Sequence, residues 1–454
     1  MSIFKKLFKS YYEQRYMHIA MPAAVECVFM NVLASADLIM VGSLGAVSIA
    51  AVSIFLQPRM VLLCFARSIG SAVTLLTARK AGAKDVRGVS ELLRKTLFLG
   101  FIFMGLLHIL FYAFLQKILL LMGAGSDYLP QALQYASIAT VSVFITSMTA
   151  ILQAVQLGFG ETAPIMRTNV TGNIINVIIN ALLIFGLGPF PRLGIVGAAV
   201  GTVVGTLFTL CATIYVMHVN RYFSQGGSFI PDRAYFKEFL PVFSSIFSEQ
   251  GCERVGMVLF ARMAAGLGTV PFAVHSICMS ICDYYYDFAT GMGKASMVLA
   301  GQSCGAQNEN EWQIYRKVGV KWSMIFSSVS FLIIVLFQKQ IFFVYSDDPA
   351  ALAMSGVVMF LVALVGYPEA HALVSAGILR GSGKTASVAA YSFMSVTLIR
   401  PLMTAFFLYV MDLGLLGTWL ALVLDQCIRA GCASLLLYRM KPQIGMQMKK
   451  LCEE

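Results

Sequence analysis

Residues 44–54 read LGAVSIAAVSI, and residues 267–277 read LGTVPFAVHSI. Six of the eleven positions are identical, at an offset of 223. The same offset carries Gly82-Ala83 onto Gly305-Ala306, and Gly160-Glu161-Thr162 onto Gly383-Lys384-Thr385. LGIVG at 193 and LGLLG at 413 lie 220 apart, which a three-residue change in loop length accommodates. One offset recurring at separate places identifies the chain as two copies of one ancestral unit, and the fold follows from what that unit contains.

Composition says what it contains. Of the 454 residues, 58% are hydrophobic and 12% charged, where a water-soluble chain of this length carries about 25% charge. The chain therefore reads as an all-α polytopic membrane protein. At about 20 residues per crossing, the apolar runs give twelve transmembrane helices: 17–41, 46–77, 95–121, 130–157, 165–187, 194–217, 238–265, 269–300, 318–343, 351–378, 386–411 and 414–437. Each half holds six. An even number returns the chain to the side it started from, so the halves form a parallel repeat about an axis along the membrane normal. The division is a segment 1–16, an N-lobe 17–217, a linker 218–237, a C-lobe 238–437 and a tail 438–454.

Cationic residues set the orientation. The N-terminal segment, the even-numbered connections and the tail hold or border about 22 of the 33 Lys and Arg; the odd-numbered connections hold or border about three, Lys117, Arg192 and Lys339. Both termini are expected in the cytoplasm of a multi-pass cell-membrane protein. The net charge of +11 follows from this asymmetry and calls for no nucleic-acid partner. The ten cysteines are scattered singly without CxxC and read as small apolar helix residues. The basic start MSIFKKLFKSYYEQRY precedes a long apolar run, so the first helix reads as its own insertion signal rather than a cleaved leader.

The stretch QLGFGETAPIMRTNVTGNIINVIINALLIFGLGPFPRLGIVGAAVGT, starting at 156, resembles the fourth-to-sixth-helix signature of the MATE (multidrug and toxic compound extrusion) family. GILRGSGKTASV with LGLLGTWLALVLDQCIRA resembles the tenth-to-twelfth-helix counterpart, and ADLIMVGSLG and VLAGQSCGAQNENE resemble further family stretches. The resemblance spans nearly the whole chain. It implies a MATE-like fold of two six-helix lobes, and efflux of drugs or metabolites by alternating access, driven by inward Na+ or protons. It also implies a small organic substrate, cationic in the family's usual case, a monomer in the lipid bilayer, and no cofactor besides the coupling ion.

Charged residues inside the spans mark candidate sites, because a charge at mid-bilayer costs roughly 2.5–3.5 kcal/mol on insertion scales. Glu26 and Asp37 are eleven residues apart and share one face of the first helix; by resemblance Asp37 is the helix-1 acid that couples to ions. Asn169, Asn173, Asn176 and Asn180 form one stripe on helix 5, fit either for interhelical hydrogen bonds or for offering oxygens to a hard cation. The resemblance places Asn176, Asn180 and Thr202 at the N-lobe cation site, with Asn180 where several members have aspartate. In SEQGCERVGMVLFARMAAGLG, 248–268, Glu249 and Glu253 lie on one face, with Arg254 and Arg262 opposite. Glu253 has the spacing of the helix-7 glutamate of sodium-coupled members and Glu369 that of their helix-10 acid, so the resemblance implies a Na+ site at these two. Glu249 matches Glu26 by the repeat offset. His371 reads as a packed histidine.

The basic residues depart from the family pattern. Arg59 and Arg67 on helix 2 and Lys294 on helix 8 stand where apolar or small residues are usual, and helix 8 carries Asp283, Tyr284 and Asp287. Two readings stay open: internal salt bridges, or a cavity lined by Glu26, Arg67, Glu249, Asp283, Tyr284, Asp287 and Lys294 that accepts an anionic or zwitterionic substrate. The second leaves room for a flippase or exporter of anionic or lipid-linked molecules. An enzyme is not indicated: HExxH and GxxxxGK[ST] are absent from the sequence, and GSGKT at 381 is the repeat partner of GFGET.

Overall fold

The computed structural model describes residues 10–222, 226–346 and 348–440, and not the side chains of Leu38 and Ala46. The segment up to residue 9, linker residues 223–225 and the tail from 441, with Cys452, lie outside the described residues.

The described residues form twelve long helical segments. In the first half these are α1 (Tyr11–Gly42), α2 (Ala46–Gly82), α3 (Val86–Ala113), α4 (Leu129–Phe159), α5 (Thr162–Phe185) and α6 (Ile195–Val219), with a short helix Leu115–Leu121 after α3. In the second they are α7 (Arg233–Ala265), α8 (Thr269–Gly305), α9 (Glu309–Phe343), α10 (Pro349–Gly381), α11 (Thr385–Val410) and α12 (Gly414–Met440). Ten are long and apolar enough to cross a membrane. The other two, α7 and α8, are 33 and 37 residues long. They fall short by polarity rather than length, since Glu249, Glu253, Asp283, Asp287 and Lys294 sit on them. The nine described cysteines are free thiols.

The repeat is visible in the backbone. Gly45 and Gly268 precede α2 and α8 with φ/ψ of 105/170 and 100/174, a left-handed region that favours glycine. Both helices run 37 residues and end on alanines of matching conformation, Ala83 and Ala306. Lys84 and Gln307 follow with φ of 60 and 54. Asp85 then caps α3 by accepting from Gly88 N, and Asn308 caps α9 by accepting from Glu311 N. Gly160 and Gly383 both have φ 86. All five correspondences hold the offset of 223.

The chain clusters into two compact units, Val25–Phe243 and Met1–Ala24 with Ser244–Glu454. The boundaries differ from the division at 217/238. The first turns of α1 count with the second-half unit, because Tyr16 bonds Met292 O (3.2 Å) and Ser296 Oγ (3.0 Å), and Gly291 packs on the backbone of Ala23 and Ala24. The start of α7 counts with the first-half unit. There Lys95 binds Asp232 (2.9 Å), Tyr235 meets Thr96 (3.0 Å) and Lys80 binds Glu238 (3.1 Å). Each unit has its own apolar core: Phe55, Leu119, Ala136 and Ile184 in the first half, Phe260, Phe342, Met359 and Trp419 in the second.

Candidate functional site

In the first-half unit the candidate site is set by close helix contact. Gly197, Gly201 and Gly205 recur every four residues on α6, and a Cβ on Gly201 would stand 2.0 Å from Asn180 Oδ1. Small residues at this spacing let two membrane helices touch backbone to backbone, which presses the Asn stripe of α5 against α6. Asn180 Nδ2 then donates to Asp37 Oδ1 (2.9 Å) and Asn176 Nδ2 to Thr202 Oγ1 (3.3 Å). Asn180 is 2% exposed and its Oδ1 is buried without a hydrogen-bond partner. A buried acceptor left unmade costs on the order of 1–3 kcal/mol, so this oxygen stands ready for a cation or a donor. Arg59 on α2 acts on Asp37 electrostatically. One end of the Asn stripe serves a second carboxylate: Asn169 donates to Glu26 (2.5 Å) and shares hydrogen bonds with Gln153. Asn173 bonds the backbone at Asn169 and the sulfur of Met30.

The second-half unit answers its acids differently. Glu249, 2% exposed, accepts from Arg380 Nη2 (2.6 Å) and from Ser392 Oγ (3.1 Å). Glu26–Asn169 and Glu249–Ser392 are the same contact in the two repeats, each residue displaced by 223. Glu253 pairs with Arg429 Nη2 at 2.6 Å. Asp425, fully buried, takes Arg400 Nε (3.0 Å) and Nη2 (2.5 Å) on Oδ2 and the Ser395 hydroxyl on Oδ1. Ser395 and Arg400 reach one carboxylate because α11 is wound as a π-helix over Phe393–Ile399, and Arg400 N bonds Ser395 O. Residues five apart diverge by about 140° on an α-helix, whereas an i→i+5 ladder stacks them.

Glu253 and Glu369 were expected to share one Na+ site, but their surroundings differ. Glu253 is taken up by an arginine. Glu369 is buried, its Oε2 has no hydrogen-bond partner, and the charges acting on it are Arg400, Arg429, Asp283 and Asp425. Among the described residues no group of three or more His, Cys, Asp or Glu side chains is placed to hold a metal ion. On α8, Asp283 is exposed and Tyr284 and Asp287 half-buried. Arg67, Asp287 and Lys294 each have an interaction partner. His371 Nε2 bonds Ser434 Oγ (2.7 Å), a packing role.

Sequence reasoning missed Arg400, Asp425 and Arg429, and read Arg380 as part of a cytoplasmic connection. Two signals were available: the Asp425/Arg429 i,i+4 pair, and Arg400 before Pro401 within an apolar run.

A family model described as MatE matches the chain twice, over residues 22–182 and 245–406; the two starts stand 223 residues apart, the repeat offset itself. The probable multidrug resistance protein NorM of Thermotoga maritima is 24% identical over 417 residues, 91% of this chain and 89% of that one. The multidrug resistance protein MdtK of Pectobacterium atrosepticum is 23% identical over 390 residues, 83% of each. Among solved structures, a MATE protein in its bent conformation matches with a TM-score of 0.89 at 20% identity over 98% of both chains. A MOP-superfamily transporter from Pyrococcus furiosus, described as having a binding pocket of reverse polarity, matches with a TM-score of 0.88 at 20% identity, over 97% of this chain and 98% of that one.

Proposed function

Because the chain belongs to the MatE family of membrane transporters, we propose that it exports small organic molecules across the cell membrane in exchange for an inward-moving cation, Na+ or H+. One observation carries the coupling: on a membrane-spanning helix, the Asp37 carboxylate is held by a neutral amide whose own oxygen, Asn180 Oδ1, is buried and unpartnered, with Asn176 and Thr202 alongside. Neutral oxygens around one acid suit a hard monovalent cation, and a proton on the acid satisfies the same site by donating. Glu369 offers a second buried carboxylate oxygen without a hydrogen-bond partner, Oε2. The relatives named as multidrug resistance proteins support a small organic substrate and an outward direction; that the substrate is cationic is part of the proposal. In this reading the protein works as a monomer with both termini in the cytoplasm and needs no cofactor beyond the coupling ion.

The alternative, a flippase or exporter of anionic or lipid-linked molecules, draws its support from unpaired intramembrane cations. Arg67 and Lys294 have partners, which makes it the weaker reading. The test is Asp37→Asn in proteoliposomes. Gradient-driven efflux of a fluorescent organic cation falls at least about tenfold, the scale of one lost coupling interaction, while the protein elutes as a folded species. A wild-type rate in that variant overturns the reading.

A further inference from the structure

The second-half unit holds three carboxylates that the export cycle above leaves idle, and each has an arginine of its own. Glu249 has Arg380, Glu253 has Arg429 and Asp425 has Arg400, at 2.6, 2.6 and 2.5 Å. The arginines come from α10, α12 and α11, so the pairs join four helices. Ser392 links two of them, bonding Glu249 and, at 3.4 Å, Arg429. Of the three acids Glu253 is the most open, its side chain 26% exposed against 2% for Glu249 and 0% for Asp425. It is the one a diffusible ion could reach.

The repeat sharpens the contrast. The offset of 223 carries Asp37 onto Phe260, whose ring faces the Arg400 guanidinium at 5.7 Å. It carries Glu253 back onto Met30, so the first half has no acid at that level. In the first half Asp37 is hydrogen-bonded by a neutral amide, with no cation among the described residues bonded to it directly and Arg59 acting on it only electrostatically. The other brings its cations covalently attached.

We propose that Arg429 is a tethered cation, occupying at Glu253 the place a diffusible Na+ or proton would take, so that Glu253 has no part in ion exchange. A guanidinium does not deprotonate in a protein, and expelling it would strand a buried charge. Coupling is then confined to the Asp37 site and Glu369. Arg429 is thus a positioning residue that sets the number of cations exchanged per substrate. The inference rests on the cation-exchange reading above.

The experiment reads that number as the reversal potential of ethidium transport in proteoliposomes under graded Na+ and pH gradients. Wild type, Glu253→Gln and Arg429→Lys give the same cation-to-substrate ratio, because the tethered charge is either kept or unneeded. Arg429→Gln bares Glu253 and raises the ratio by one, and adding Glu253→Gln to it restores the wild-type ratio. Should Arg429→Gln alone fail to fold, the double variant decides, since both charges are gone and its ratio is still that of the wild type. Loss of coupled transport in Glu253→Gln, or in the double variant, overturns the inference and leaves the export reading standing. A wild type that transports ethidium under neither gradient overturns the export reading and the inference with it.

Discussion

Replacing Asp425 by asparagine removes one charge with almost no change in volume. Arg400 and Asp425 are 3% and 0% exposed, so the guanidinium left behind loses its hydrogen-bonded counterion in a buried site. Its remaining contacts are the sulfur of Met257 at 2.7 Å and the ring of Phe260. Breaking a buried pair from one side costs about 3–5 kcal/mol. For a cooperative unit of about 150–250 residues, each kcal/mol moves the unfolding midpoint by about 2–4 °C, so the expected fall is on the order of 10 °C. Removing both charges is a different perturbation: Arg400→Met with Asp425→Leu refills the site with apolar volume and should be near neutral. Thermal unfolding in detergent, followed with a thiol-reactive dye, reads this directly, because Cys278 and Cys282 are free and buried. A midpoint for Asp425→Asn within about 2 °C of wild type, or a double variant less stable than the single, would refute the reasoning.

Gly201→Ala places a methyl group 2.0 Å from Asn180 Oδ1, which costs about 1–3 kcal/mol and pushes the amide off Asp37. Gradient-driven efflux should drop while Gly251→Ala, with nothing within 4 Å of the new Cβ, transports normally; equal rates in the two contradict the site. Outside the membrane, the hydrogen bond from Lys95 holds the Asp232 carboxyl below its ordinary range. A depressed folded-state value means the contact is fully present above the ordinary carboxylate pKa of about 3.9 and is lost as pH falls through the lower folded value. Relative to Asp232→Asn, in which the carboxylate contact is absent at every pH, pepsin cleavage of the wild type at Phe229 should be slower and should catch up only as pH falls through the folded value. A wild-type-to-variant rate ratio that is flat with pH contradicts a restraining role for the Lys95–Asp232 contact.

Periodicity and repeat offsets are local properties, and what depends on them was legible in the sequence. The glycines at 45, 160, 268 and 383 set the register of the repeat, the apolar runs marked the helices, and the spacing of Glu26, Asp37 and the Asn stripe placed polar groups on shared faces. Partners across helices are not local. Nothing in the order of residues says that Glu253 meets Arg429, 176 positions away, or that Arg380, at the last turn of α10, reaches back to Glu249. The π-wound stretch of α11 was equally hidden, since an apolar run carries no sign of its winding, and that winding is what lets Ser395 and Arg400 converge on Asp425. The docking of the first turns of α1 was hidden for the same reason: the contacts of Tyr16 with Met292 and Ser296 span more than 270 residues.

The central claim, cation-exchange export, is tested most directly by loading purified protein into liposomes and imposing one gradient at a time: Na+ alone, then protons alone. The account predicts that a fluorescent organic cation moves against its own gradient when an opposing cation gradient is present, and that Asp37→Asn abolishes this movement. Transport that ignores both gradients, or that proceeds unchanged without Asp37, would contradict it.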